Sequence, residues 1–349
     1  MKAHQLAGET EILVEVIKTK SEKELKKLAY QWNSNHGLQL NNDEKKRYAN
    51  EMIEEVTIKE LALILSVSEE SIAKWTVLQR KALEDERNRK IMEMYLHAWN
   101  TQQDIADVFG LSQDTIKNVI NNENSKFTKI VNFQPFIYNI WNVQKGNETS
   151  HFGSFPKVFM DNFLYYHTKP LDIIFDPFVG DGTTIDSCKE FYRRYYCSDI
   201  EVKPGREKDI LQHDITKGLP DNLPKPKIAF LDPPYWKQSE NKYSDIKTDL
   251  GNMNLKDFNN AISNLLNELK NRKVEKIAIV IQPTQFSNQF NLIDHIFDFH
   301  GILNDKYKIK MRYILPYSTQ QYNAQIVNKA KELKECLILN RDLIIWELK

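Results

Sequence analysis

A chain of 349 residues, 41% of them hydrophobic, is long enough for two domains and a sizeable core. Its 48 lysines and arginines balance 48 acids, so no global basic field announces nucleic acid, although a local basic groove is not excluded. Cys188, Cys197 and Cys336 show neither metal nor disulfide spacing, no leader opens the chain and no apolar run reaches membrane-spanning length. These features point to a reduced cytoplasmic protein with no metal centre and no membrane partner.

Glu11–Ile17 alternates and reads as a strand. Ser21–Asn33 reads as a helix with Leu25, Leu28 and Ala29 on one face. A turn at His36–Leu40 leads into a second helix over Asn42–Glu55. Thr57, with Glu60 three residues later, has the form of a capping box. Ile58, Leu61, Ala62 and Leu65 share a face, Ser66-Val67-Ser68 turns the chain, and Glu69–Trp75 forms a short second helix with Ile72 inward. The pattern then recurs. Thr101 stands for Thr57, Ala106 for Ala62, Val108 for Ile64, Leu111 for Val67, Ser112 for Ser68 and Ile116 for Ile72, with Gly110 at the turn. We expect two helix-turn-helix units, at about 57–75 and 101–120, joined by a charged helix over Leu78–His97. Their second helices, Glu69–Trp75 and Gln113–Ile120, would turn Ser71, Lys74, Gln113, Thr115, Lys117 and Asn118 towards a DNA groove. A helical module for protein contacts is the competing reading.

Asn121–Lys129 is polar and reads as the linker. Phe133–Trp141 is aromatic and apolar, either a cover for a ligand pocket or an anchoring strand. His151–Pro156 precedes a helix over Lys157–Tyr166. Leu171–Phe175 is a short apolar run, the mark of a buried parallel strand. It runs into Asp176-Pro177-Phe178-Val179-Gly180-Asp181-Gly182-Thr183-Thr184 and then a helix. Glycines between a strand and a helix bring the backbone close to a ligand, and the helix N-terminus offers free N–H groups. That is a nucleotide-type site at the carboxyl end of a strand. The missing third glycine disfavours a dinucleotide.

Arg194–Ser198 is the next strand and ends at Asp199; Leu211–His213 leads to Asp214. Lys227–Leu231 is a further buried strand, stopped and stiffened by Asp232-Pro233-Pro234-Tyr235-Trp236. Tyr243-Ser244-Asp245 lies in a polar loop. A helix over Leu255–Asn271, a strand over Lys276–Gln282, and closing antiparallel strands over Lys308–Leu315 and Asp342–Trp346 complete the chain. Ser318–Asn323 between them is a surface loop or a DNA contact.

The ordered pair DPFVGDGTT and DPPYW resembles the S-adenosylmethionine-dependent amino-methyltransferases of DNA, which make N6-methyladenine or N4-methylcytosine. The resemblance runs from about Phe133 to the C-terminus. It implies an α/β fold, a Rossmann-like class I methyltransferase with a seven-stranded sheet, here preceded by an all-α helix-turn-helix domain. We place the domains at 1–129 and 130–349. The stretch HGLQLNNDEKKRYA and the unit after it make residues 11–75 similar to ParB-like partition proteins. The nuclease-like core of those proteins is missing or cut short, so no nucleotide hydrolysis is carried over.

On this resemblance the cofactor is S-adenosyl-L-methionine. Asp176 meets its ammonium, and the backbone at Gly180 and Gly182 approaches its middle. Pro177, Phe178 and Thr183 belong to the same loop, and Phe155 closes over the methionine part. Asp199 would hold the ribose and Asp214 the adenine amine. Asp232 and the Pro233 carbonyl would each accept one hydrogen of an exocyclic base amine. Pro234 stiffens the turn, and Tyr235 stacks on the flipped base. No cysteine follows a proline, so C5-cytosine chemistry is set aside. The expected activity is site-specific methylation of double-stranded DNA, at adenine N6 before cytosine N4. RNA methylation and an inactive DNA-binding regulator are the alternatives. Little chain is left for a separate target-recognition domain, so the helix-turn-helix pair is expected to supply recognition. The class also leaves room for a homodimer and a cognate restriction endonuclease.

Overall fold

The computed structural model describes residues 16–19, 21–35, 40–127, 133–142, 155–236, 246–285, 292–317 and 322–349. The expectations for 11–15, 36–39, 151–154, 243–245 and 318–321 lie outside them. Val16 and Ile17 are described and are not in a strand. The chain divides into two compact units, residues 1–89 and 90–349. This division lies earlier than residue 129, where the sequence suggested it.

The first unit is helical. It holds α1 (Glu22–Asn35), α2 (Asn42–Met52), α3 (Ile58–Leu65) and α4 (Glu69–Trp75). Its core gathers Tyr48, Met52, Leu61, Leu65 and Ile72, with Tyr30 of α1 stacked on Tyr48. The apolar face expected for α1 is only partly used: Leu25 is 55% exposed, and Tyr30 makes the packing contact instead. α5 (Val77–Leu96) leads onward.

The second unit begins at Lys90, within α5, and continues with α6 (Gln102–Phe109) and α7 (Gln113–Phe127). The two helix pairs have matching local geometry, each within its own unit. Thr57 pairs with Glu60, and Thr101 with Asp104, in matching capping boxes. Both first helices end in a left-handed residue, Ser66 at φ 51° and Gly110 at φ 63°. Only glycine takes that conformation freely, so the second turn is the less strained one. Ile72 and Ile116 are both fully buried. The equivalence fails at Val108, which is 65% exposed where Ile64 is buried. α7 also continues to Phe127, through most of the stretch that reads as linker. Polar residues alone do not stop a helix; Gly or Pro does, and neither occurs there.

A seven-stranded sheet forms the body of this unit. Its order is β3-β2-β1-β4-β5-β9-β8. β1 (Ile173–Asp176), β2 (Arg194–Asp199), β3 (Leu211–Gln212), β4 (Ile228–Leu231) and β5 (Lys276–Ile281) run parallel. β8 (Tyr307–Pro316) and β9 (Asn340–Leu348) close it antiparallel. A small hairpin of β6 (Thr284–Gln285) and β7 (Leu292–Ile293) stands apart. The helices α8 (Lys157–His167), α9 (Thr183–Glu190), α10 (Leu255–Asn271), α11 (His295–Leu303) and α12 (Ala324–Leu333) complete the unit.

Alternate strand residues face opposite cores. Ile174, Cys197, Phe230, Val280 and Ile345 join one, with Phe159 and Phe163 of α8. Phe175, Tyr196, Leu231, Ile279 and Trp346 join the other, with Phe258 and Leu266 of α10. Both faces are covered, which is why these strands read as unbroken apolar runs. Within 133–142, Asn139 and Trp141 hydrogen-bond to Ile314 of β8, and Trp141 is fully buried against Tyr313. The segment therefore anchors the sheet edge.

The short connection after α5 is fastened to β2. The Arg194 guanidinium donates to the carbonyls of Tyr95 (2.9 Å), Ala98 (3.3 Å) and Asn100 (3.0 Å), and lies over the Tyr95 ring. Ala98 N–H donates to the Tyr195 carbonyl, and His97 meets the Tyr195 hydroxyl and Asp209. These bonds explain why the second helix-turn-helix belongs to the larger unit.

Candidate active site

β1 ends at Asp176, a buried carboxylate. Thr184 Oγ1 donates to its Oδ2 at 2.5 Å and Phe178 N–H to its Oδ1 at 2.9 Å. Burial pushes its carboxyl up to about 7, and the charges of Asp232 and Asp199 add to the rise; the two hydrogen bonds act the other way. Gly180 sits at φ +52° with open space where a Cβ would be, so its freedom serves the turn. Its N–H donates to Asp199 Oδ2 at 2.8 Å, tying the loop to the end of β2. Glu201 N–H holds the other oxygen of Asp199 at 3.2 Å. Burial raises the Asp199 carboxyl, and these backbone donors oppose it.

β4 delivers the second motif. Asp232 follows its last residue, and the Tyr235 hydroxyl donates to Asp232 Oδ1 at 3.1 Å. Burial pushes Asp232 up to about 6, while the Arg341 guanidinium and the Tyr235 bond pull it down. Trp236 pins the loop beyond. Its ring N–H donates to the Met253 carbonyl at 2.9 Å, and its own carbonyl accepts from Thr284. The two prolines and this anchor hold Asp232 and Tyr235 at the carboxyl edge of the sheet.

One cleft brings these groups together. Phe155, Asp176, Pro177, Phe178, Gly180, Thr183, Asp199, Asp214, Asp232, Pro233, Pro234 and Tyr235 all line it. Gly182 does not. It stands at φ +95° at the start of α9, and a Cβ there would come within 3.0 Å of the Arg206 guanidinium. Its role lies in the turn and in packing. Asp214 lines the cleft, yet its Oδ1 already accepts from Thr216 N–H and hydroxyl, capping its own short turn. Thr184, Phe230, Thr248, Asp249 and Leu250 also line the cleft and were not singled out from the sequence. Thr184 could have been found, because it lies in the first turn of the helix that follows the glycine loop.

The groove-facing candidates lie on two separate helices. Lys74, Gln113, Lys117 and Asn118 are exposed. Ser71 and Thr115 are half-buried, and each hydroxyl is bonded to the serine that caps its own helix, Ser68 at 2.9 Å and Ser112 at 2.8 Å. Among the described residues no helix is long and apolar enough to cross a membrane, and no cluster of three or more metal-ligating side chains occurs.

The strand order is that of the Rossmann-like class I methyltransferases, whose methyl donor sits outside the carboxyl ends of the central strands. Within that class the chain belongs to the DNA methylase family (N6_N4_Mtase), whose model matches residues 2–208. It is 33% identical over 82 residues to the type II methyltransferase M.BglII of Bacillus subtilis. That stretch is 23% of this chain and 22% of the relative, so the match spans under a quarter of that relative's length. Among solved structures, TrmN from Thermus thermophilus aligns at 13% identity and TM-score 0.37, covering 56% of this chain and 49% of that one. An rRNA methylase from Streptococcus thermophilus aligns at 15% identity and TM-score 0.32, covering 56% and 97%. S-adenosyl-L-methionine is the cofactor of this family. The lining suits it, with the carboxylates of Asp176, Asp199 and Asp232 at the ends of three strands and Phe155 and Phe178 as apolar walls.

Proposed function

We propose that this protein methylates an exocyclic amine of a base in duplex DNA, adenine N6 being the amine we favour. The observation that carries the reading is the meeting of Asp232-Pro233-Pro234-Tyr235 with Asp176 and the Gly180 loop in one cleft. When bound, the cofactor supplies a methyl group made electrophilic by its sulfonium. The chain's own part is to hold the amine. An exocyclic amine is a weak nucleophile because its lone pair is delocalised into the ring. Tyr235 takes Asp232 Oδ1, so Oδ2 is offered to one amine hydrogen and the Pro233 carbonyl to the other. Two acceptors on one nitrogen localise its lone pair on the side facing the donor. The base must leave the duplex to reach them, and the Tyr235 ring is the surface on which it stacks.

Target recognition is assigned to the helix-turn-helix units, with α7 as the principal reader. Exposed Gln113, Lys117 and Asn118 on α7 suit base edges and phosphate, with one exposed acid, Asp114, in its first turn against two, Glu69 and Glu70, in that of α4.

The reading is tested by transfer of labelled methyl to unmethylated duplex DNA, followed by digestion to nucleosides and mass spectrometry. N6-methyladenine is the expected product. Asp232→Ala should lower the rate by about 10²-fold or more while cofactor binding, followed by calorimetry, changes little. N4-methylcytosine would correct the base. Product on matched RNA alone would sink the DNA assignment.

A further inference from the structure

Arg341 is the second residue of β9, at the edge of the sheet where Asp232 emerges, and it is only 6% exposed. Its guanidinium carbon lies 5.4 Å from the Phe155 ring centroid and 5.2 Å from that of Tyr317, between two aromatic rings. Phe155 lines the cleft, and the Arg341 charge acts on both Tyr235 and Asp232 there. Its Nε–H finds no acceptor among the described residues. Arg193 offers a contrast. It is also buried, but it donates from Nε to Thr168 Oγ1, from Nη1 to the Phe191 carbonyl and from Nη2 to the Thr168 carbonyl, the pattern of a purely structural arginine. A buried cation left with an unused donor is poorly placed for holding a fold and well placed for serving its neighbours.

We infer that Arg341 is a positioning residue of the active site: its guanidinium, held between the Phe155 and Tyr317 rings, places a positive charge beside the Tyr235–Asp232 pair and so orients the Asp232 carboxylate. The inference rests on the methyl-transfer reading above and extends it to a residue over 100 positions further along the chain. Every neighbouring charge bears on it. Asp176, from β1, opposes ionisation of Asp232. Tyr235 donates to it from its own loop. Tyr317, at the end of β8, is held by its hydroxyl on Gln282 Oε1 at 2.8 Å and walls the guanidinium. Arg341 brings a positive charge that acts on Asp232, and Lys203 also lines the cleft. An ionised Asp232 accepts an amine hydrogen and a protonated one does not, so activity is present above its pKa and lost as pH falls through it. Removing Arg341 moves that loss to higher pH.

The full-length protein is assayed as wild type, R341M and R341K for methyl transfer to DNA across pH. Asp232 protonation is followed in parallel by infrared spectroscopy of aspartate-labelled protein, with D232N as the reference. For R341M the acid limb should rise by about one pH unit and the rate at neutral pH fall about tenfold, with KM for the methyl donor unchanged within about twofold. R341K, which keeps the charge, should restore the limb. An R341M limb that coincides with the wild-type limb, with only thermal stability reduced, overturns the inference. Should R341M fail to fold, R341Q carries the same comparison. If the wild type transfers no methyl group, the functional reading fails. The infrared titration still decides on Arg341, since an Asp232 titration unmoved by its loss overturns the role.

Discussion

On the proposed reading, the buried acid Asp176 would couple cofactor capture to pH. Its carboxyl titrates at about 7 because burial disfavours the charge and two other carboxylates lie near. A group raised in this way favours the folded state most below its ordinary value of 3.8, and that contribution is lost as pH rises through about 7. A ligand ammonium beside it favours the carboxylate and reverses the sense. Affinity for S-adenosylmethionine should therefore climb by up to about tenfold between pH 6 and pH 8. Asp176→Asn should bind more weakly and flatten the dependence. Calorimetric titration of both proteins across that range checks it. A wild-type affinity that falls with rising pH would remove Asp176 from the ammonium site.

At the scale of elements, the connection between α5 and α6 is a fastening of its own. Arg194 gathers three carbonyls that no helix or strand would otherwise satisfy, at Tyr95, Ala98 and Asn100. Arg194→Ala leaves them unpaired and removes the stack on Tyr95, which should cost about 2–4 kcal/mol of unfolding free energy. Protection of α6 and α7 amides from hydrogen exchange should fall before that of β4 and β5. Equal losses across the unit would mean that the fastening is not local. This fastening also marks the limit of what the sequence reveals. The parallel strands were legible because burial on both faces leaves continuous apolar runs, and Asp232 was legible because two prolines announce the turn. Arg341 was not. Its place depends on antiparallel β9 pairing Asp342 with Ile281, which carries the strand's first residues to the edge where β4 ends. No local pattern encodes a register set across the sheet. The α5–α6 connection was hidden for the same reason, since Tyr95, Ala98 and Asn100 contribute only backbone to Arg194.

For the molecule as a whole, a net charge of zero bears on how it would meet the proposed DNA partner. A protein without a basic surplus neutralises few phosphates, so its affinity should depend weakly on salt and its non-specific binding should be low. Recognition then falls to a few residues. On the proposed reading, exposed Lys117 of α7 would meet a phosphate and exposed Gln113 a base edge. We expect a slope of log affinity against log salt of about −2 to −4 for wild type, and a slope shallower by about one for Lys117→Ala. Gln113→Ala should leave the slope alone and relax sequence preference at one position, costing about 1–3 kcal/mol there. Both variants keep the α6–α7 packing, because Ile105, Ala106, Ile116 and Ile120 carry that core. Fluorescence anisotropy at several salt concentrations measures the slopes, and methylation of a randomised duplex library measures the preference. If neither variant changes slope or preference while methylation continues, α7 does not read DNA and the helical repeat is a packing module. A wild-type slope steeper than about −6 would instead reveal a basic groove that the balanced composition conceals.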